Sequence, residues 1–243
     1  MDFEQFSRLF CDSCAKNGVK APTEEQITLF YRFDTLLHET NRVTNLTAIR
    51  TTEDAIPKHY ADSLLGLDLF PQDAKVLDLG CGAGFPSIPL AIMRPDLRIT
   101  ALDSTAKKIA FVQKAATELG LSNLSAVAGR AEDRALMQKL GSFDVVTGRA
   151  VAGMAVFSEL CLPYVKIGGS FVAMKGARGE EELAESGNAL QKLGGTLKEV
   201  RGCALQLPNG ESEARCLIVA TKTKQTPSQY PRAYASILKK PLS

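Results

Sequence analysis

The residues from Lys75 to Phe85, KVLDLGCGAGF, combine types and spacing that can do chemistry. A short apolar run of Val76, Leu77 and Leu79 encloses Asp78, Gly80, Gly82 and Gly84 follow at alternate positions, and Pro86 begins an apolar segment with helical character. The pattern predicts strand, glycine turn and helix, with Pro86 at the first helical position, where its missing N–H costs no hydrogen bond. Glycine lets a ligand approach the backbone, and a helix N-terminus presents free N–H groups and the positive end of a dipole. Such a turn suits a small molecule, and three kinds of site compete for it. A phosphate-binding P-loop ends in Gly-Lys-Ser/Thr, which Phe85 and Pro86 exclude. A dinucleotide site of the form G-x-G-x-x-G requires glycine where Phe85 stands. An S-adenosylmethionine pocket carries no pyrophosphate and tolerates a different glycine pattern.

The elements that must position this turn are read from periodicity. After Pro71 strands and helices alternate, as in a parallel sheet with helices on both faces. A second strand, Arg98 to Leu102, ends at Asp103, about twenty residues past the glycine turn, where a carboxylate caps ribose hydroxyls in nucleotide-binding sheets. A helix from Thr105 to Leu119 leads to a third strand, Leu124 to Ala128, and a loop of Gly129, Arg130, Ala131 and Glu132. The fourth strand, Phe143 to Val146, runs into Thr147, Gly148, Arg149 and Ala150. A helix through Tyr164, a strand from Ser170 to Met174 ending at Lys175 and Gly176, and a helix from Glu180 to Leu193 come next. Thr196 to Leu207 and Ala214 to Thr221 flank Pro208, Asn209 and Gly210, a hairpin signal. Ligands of such sheets bind outside the carboxyl ends of the strands. Gly80, Gly82, Gly84, Phe85, Asp103, Ala131, Glu132 and Arg149 are therefore expected to converge on one crevice.

Upstream the pattern is helical. Phe3, Phe6, Phe10 and Cys14 share a face that Gly18 ends, and Thr23 with Gln26 forms a capping box ahead of Ile27, Phe30, Phe33, Leu36 and Leu37. NRVTNLTAIR breaks the period as an ordered turn, and a third helix is expected from Thr52 to Leu65, carrying His59, Tyr60, Asp62 and Ser63. The expected organisation is a helical extension over 1–70 packed on a catalytic domain over 71–222, with a basic tail over 223–243. That tail and its junction hold Lys222, Lys224, Arg232, Lys239 and Lys240 without an acidic residue, interleaved with Tyr230 and Tyr234. Such a stretch suits a phosphate backbone with tyrosines for stacking, or else a solvated terminus.

Composition bounds the remaining readings. At 243 residues, 45% hydrophobic and 23% charged, the chain has the make-up of an ordinary globular protein able to bury a large core, and a net charge of +2 neither requires nor excludes nucleic acid. The start, MDFEQFSRLF, has acidic residues and no long apolar run, so neither a signal peptide nor a membrane anchor is expected, and the protein is expected in the cytoplasm. Cys11 and Cys14 lack a second pair to complete a metal site and fall within helical periodicity, and Cys81 reads as a small filler. The two histidines, His38 and His59, are too few for a metal site and read as structural.

Motif I as LDLGCGAGFPSIPLAI resembles that of Rossmann-like, class I methyltransferases. Together with PDLRITALDSTAKKIAF, GRAED, VVTGRAVA, FVAMKG, the upstream NRVTNLTAIR and KHYADSLL, and the tail QTPSQYPRAYASILKKPL, it resembles the RsmG family, also called glucose-inhibited division protein B, over nearly the whole chain. The resemblance implies a Rossmann-like α/β fold with a mainly parallel seven-stranded sheet, an antiparallel C-terminal hairpin and N-terminal helices. It implies a methyltransferase that uses S-adenosyl-L-methionine to methylate N7 of a guanine in 16S rRNA of the small ribosomal subunit; a monomer without a metal ion is the separate expectation. The family's cofactor contacts fall on Gly80, Phe85, Ala131, Glu132 and Arg149, and Ser87 stands where many members have glycine. Arg149, Lys175 and Arg232 are the candidates for RNA contact, with Arg149 also a candidate for the cofactor or a structural ion pair. Guanine N7 has a free lone pair and loses no proton on methylation, so no general base is expected. The alternatives are a same-fold methyltransferase acting on a small molecule or protein, and a noncatalytic RNA-binding protein.

Overall fold

The computed structural model of the protein describes residues 1–149 and 151–243; Ala150, expected in the loop after the fourth strand, lies outside the described residues. Helix α1 (Phe3–Lys16) is capped by the Asp2 carboxylate, and α2 (Glu24–Thr44) by the expected box, in which the Gln26 N–H donates to Thr23 Oγ1 at 3.3 Å and the Thr23 N–H to Gln26 Oε1 at 2.9 Å. Phe6, Phe10, Phe30 and Phe33 are fully buried where the two helices meet. Burial of each such ring contributes about 1.5–3 kcal/mol. The following turn is ordered by Asn41, whose Oδ1 accepts from the N–H groups of Leu46 and Thr47 and whose Nδ2 donates to the Thr47 and Ile49 carbonyls.

The third helix spans nearly the expected range but changes character along it. Helix α3 (Thr52–Ala55) widens into a π-helical segment over Ile56–Ala61, and α4 (Asp62–Leu64) restores the α-turn. Pro57, which has no N–H to donate, lies at the start of the widened stretch. Such π-turns are frequent at functional sites.

The remaining elements run β1 (Lys75–Leu79), α5 (Ser87–Met93), β2 (Arg98–Asp103), α6 (Ala106–Leu119), β3 (Leu124–Ala128), α7 (Arg134–Leu140), β4 (Phe143–Arg149), α8 (Met154–Cys161), β5 (Val165–Gly176), α9 (Gly179–Glu185), α10 (Ala189–Lys192), β6 (Gly195–Gln206), β7 (Ser212–Lys222) and α11 (Tyr234–Lys239). The strands form one sheet in the order β3-β2-β1-β4-β5-β7-β6, parallel except for β7, which runs antiparallel to both neighbours. The expected mainly parallel sheet with a closing hairpin is thus observed. The chain leaves β1 toward β2 and β3, then returns to β4 on the other side, so the crevice of the fold opens where β1 and β4 end. Alternation on the strands feeds two cores. Val76, Ile99 and Val145 pack with the aromatic helices α1 and α2, while Leu77, Leu79 and Val146 pack with Phe157 and Leu160 of α8.

Three local expectations are corrected. Pro86 precedes α5 as its cap residue instead of opening the helix, because the buried Asp78 carboxylate takes the Ser87 N–H at 3.0 Å and so fixes the first turn one residue later. The single helix expected from Glu180 to Leu193 is two short ones, broken where Gly187 takes a left-handed φ of +50°. The C-terminal residues pack on the body through α11, whose Ile237 is fully buried.

Candidate active site

The turn after β1 is tied to the end of β2. The Gly80 and Cys81 N–H groups donate to the Leu102 carbonyl at 2.7 and 3.1 Å, and the Gly82 N–H donates to Asp103 Oδ2 at 3.0 Å. Asp103 Oδ1 accepts from Thr105 at 2.8 Å, which turns the carboxylate across the sheet's edge toward the glycines. A Cβ on Gly80 would meet Val151 at 2.8 Å, whereas one on Gly82 would meet nothing within 4 Å, so the backbone at Gly82 lies open to the crevice. Gly84 sits below, its carbonyl accepting from Ile88 in the first turn of α5. Asp78, under the turn, is fully buried, and burial pushes its carboxyl up to about 7 against the lowering influence of Ser87.

Phe85 joins this turn to the N-terminal helices. Its ring lies parallel to His59 at 4.2 Å between centroids and contacts Phe33 and Tyr60 at 5.6 and 6.1 Å. Arg149, at the end of β4, lies over the Phe85 ring, 5.4 Å from its centroid. It donates to the Lys58 carbonyl at 2.7 Å, to Asp62 Oδ2 at 2.6 Å and to His59 Nδ1 at 3.1 Å. A guanidinium only donates, so His59 Nδ1 is the unprotonated nitrogen and Nε2–H donates to Thr47 Oγ1 at 2.8 Å. Burial, with Arg149 beside it, pulls the imidazole down to about 3. Asp62 also takes Arg215 Nε at 2.7 Å, so one carboxylate bridges two arginines from β4 and β7.

Two adjoining cavities follow the carboxyl edge of the sheet and share Gly80 and Lys108. The larger, about 470 Å³, is bounded by Thr47, His59, Asp62, Phe85, Arg149 and Arg215. The smaller, about 310 Å³, is bounded by Leu102, Asp103, Ala131, Glu132, Leu160 and Tyr234. The Ala131 carbonyl is fixed by the Tyr164 hydroxyl at 2.9 Å, and Arg130 and Glu132 face each other at 3.6 Å. The predicted residues thus come together, Gly80, Gly82 and Phe85 at the larger cavity and Asp103, Ala131 and Glu132 at the smaller. An open backbone edge, a carboxylate at the strand end and a chamber of mixed aliphatic and polar lining beside it fit a nucleoside-containing ligand.

The basic candidates fare differently. Lys175 borders the larger cavity but its side chain is only 5% exposed and pairs with Glu182 at 2.8 Å. Arg232, expected to meet RNA, is instead committed to the fully buried Glu159: its backbone N–H and Nε reach Oε1 at 2.9 and 2.8 Å, and Nη2 reaches Oε2 at 2.6 Å. A buried carboxylate needs its cation, and that demand outweighs solvent exposure of the arginine. Lys222 is likewise buried, donating to the Leu162 and Leu193 carbonyls, and burial lowers it to about 8. Sequence reasoning missed Thr47, His59, Asp62 and Arg215 as parts of one cluster. His59 and Asp62 lie three apart on one helical stretch, a usable signal, but Arg215 is placed only by its pairing with Gly176 across β5 and β7.

A model of the GidB family, described as rRNA small subunit methyltransferase G, matches residues 26–209. The chain belongs to this family. Two similar relatives, both described as ribosomal RNA small subunit methyltransferase G, come from Clostridium botulinum strain Alaska E43 (42% identical over 98% of this chain and 99% of the relative) and Deinococcus radiodurans (48% over 87% and 83%). Among solved structures, the precorrin-6y C5,15-methyltransferase of Geobacter metallireducens is 18% identical with a TM-score of 0.52, covering 75% of this chain and 92% of that one. Aeropyrum pernix fibrillarin, solved with natively bound S-adenosyl-L-methionine, is 16% identical with a TM-score of 0.50, covering 66% and 73%. These likenesses concern the fold, and the GidB assignment rests on the sequence matches.

Proposed function

We propose that this GidB protein transfers a methyl group from S-adenosyl-L-methionine to N7 of a guanine in 16S rRNA, acting as a cytoplasmic monomer on the small ribosomal subunit without a metal ion. The helices over 1–70, the catalytic domain over 71–222 and the tail over 223–243 form the working unit in this reading. Membership of a small-subunit rRNA methyltransferase family carries it. Among the described residues no helix is long and apolar enough to cross a membrane.

S-adenosyl-L-methionine supplies an electrophilic methyl group on a sulfonium. Gly80, Gly82 and Phe85 would hold the donor against the turn, Asp103 would take its ribose hydroxyls, and Ala131 with Glu132 would border its base. Arg149 fixes the His59–Phe85 stack, and Lys175, locked by Glu182, shapes the floor toward the guanine. Transfer to the N7 lone pair would require donor and acceptor to be held in line, so near-attack positioning is the main task of these residues. The protonation states at the larger cavity support an acceptor that needs no deprotonation. His59, held down to about 3, is a poor proton acceptor at neutral pH, and burial keeps the Cys81 thiol well above its ordinary value and so uncharged. Incubation with methyl-labelled cofactor and unmodified small subunits tests the reading: label is expected in 16S rRNA, and label in protein or a free metabolite alone would refute it.

A further inference from the structure

The C-terminal segment, expected either to meet RNA or to be a solvated terminus, passes against the smaller cavity beside Asp103. Tyr234 opens α11 and borders the 310 Å³ chamber together with Asp103, Ala131, Val151 and Leu160. It is the one residue beyond Leu160 at that chamber among the described residues. Its placement is built, not incidental. Two residues earlier, Arg232 makes three hydrogen bonds to Glu159, and Glu159 immediately precedes Leu160, which lines the same chamber. Ile237, three residues later, is fully buried in the core beside α8, and Arg134 after the third strand donates to the Ser228 carbonyl at 2.9 Å. The segment is therefore fastened before and after Tyr234, and both fastenings bring it to the end of the cleft where Asp103 stands.

We propose that Tyr234 is a cofactor-binding residue, its ring forming the outer wall of the adenosine chamber, with the Arg232–Glu159 pair as the clasp that sets it there. This rests on reading the cleft as the S-adenosylmethionine site. A purine is flat, apolar on its faces and stacks on aromatic rings, and Leu79, Leu102, Val151 and Leu160 line the chamber with Tyr234 while Asp103 and Glu132 supply polar groups at its edge. Closing that chamber with the last helix makes donor binding depend on a segment remote in sequence from the motif I glycines.

Calorimetry of the full chain with S-adenosylhomocysteine, which binds without reacting, tests this. Tyr234→Ala is expected to weaken binding about tenfold and Tyr234→Phe to leave it within about twofold. The chain contains no tryptophan, so Tyr234→Trp introduces a single emitter, whose fluorescence is expected to change saturably over the calorimetric binding range. Alanine binding as tightly as the parent overturns the proposal while leaving the cofactor reading intact. Should the alanine variant not fold, an emission from Tyr234→Trp that stays unchanged at calorimetric saturation overturns it equally. Failure of the parent chain to bind the ligand overturns both.

Discussion

His59 and Asp78 stand on either side of Phe85's turn and respond to pH in opposite senses. His59 falls from 6.5 to about 3 in the fold, so the unfolded chain takes its proton first; the stability its neutral ring contributes is complete above pH 6.5 and is lost as the pH falls toward 3. Asp78 rises from 3.8 to about 7, so its contribution is complete below pH 3.8 and is lost as the pH rises through 7. Asp78→Asn keeps an acceptor for the Ser87 N–H but cannot ionise. Thermal melts across pH 4 to 7 are expected to show the parent losing stability relative to this variant, and parallel curves would contradict the assignment. Asp103 makes a second residue-scale case. Its Oδ2 orders Gly82 while retaining lone pairs for a ligand. Asp103→Ala is expected to weaken cofactor binding by about 1 to 3 kcal/mol in calorimetry, with Asp103→Asn between it and the parent.

At the level of elements, the π-helical segment and the C-terminal helix do the positioning. The wide turn over Ile56–Ala61 presents the Lys58 carbonyl and the His59 ring to Arg149, which links β4 to the helical extension. The tail is fastened by the Arg232–Glu159 pair, and Arg232→Ala strands a carboxylate that is 0% exposed. Urea denaturation is expected to show a loss of about 3 kcal/mol, together with faster proteolysis beyond Lys222. Strand and helix order was legible because period-two and helical patterns report which face is buried. The tail was not, since Lys222 and Arg232 read as solvated charges until the fold supplies the Leu162 and Leu193 carbonyls and Glu159. The π-segment was hidden for a related reason: its apolar spacing resembles an α-helix over so few residues.

Over the whole molecule, the strand order brings together residues far apart in sequence, as Asp62 shows by pairing with Arg149, 87 positions away, and with Arg215, 153 positions away. The glycine turn, Asp103, the Ala131–Glu132 loop and Arg149 could be anticipated because each ends or follows a parallel strand, and the ends of parallel strands share an edge. Arg215 and Tyr234 could not, since one depends on the register of an antiparallel strand and the other on where the chain's last helix docks. The methyl acceptor is the central claim of the account. The most direct test digests 16S rRNA, after reaction of unmodified small subunits with methyl-labelled S-adenosyl-L-methionine, to nucleosides and resolves the product by mass spectrometry. The account predicts about one labelled 7-methylguanosine per subunit, formed at neutral pH without added metal. Label on an exocyclic amine, a ribose hydroxyl or a pyrimidine carbon would contradict it.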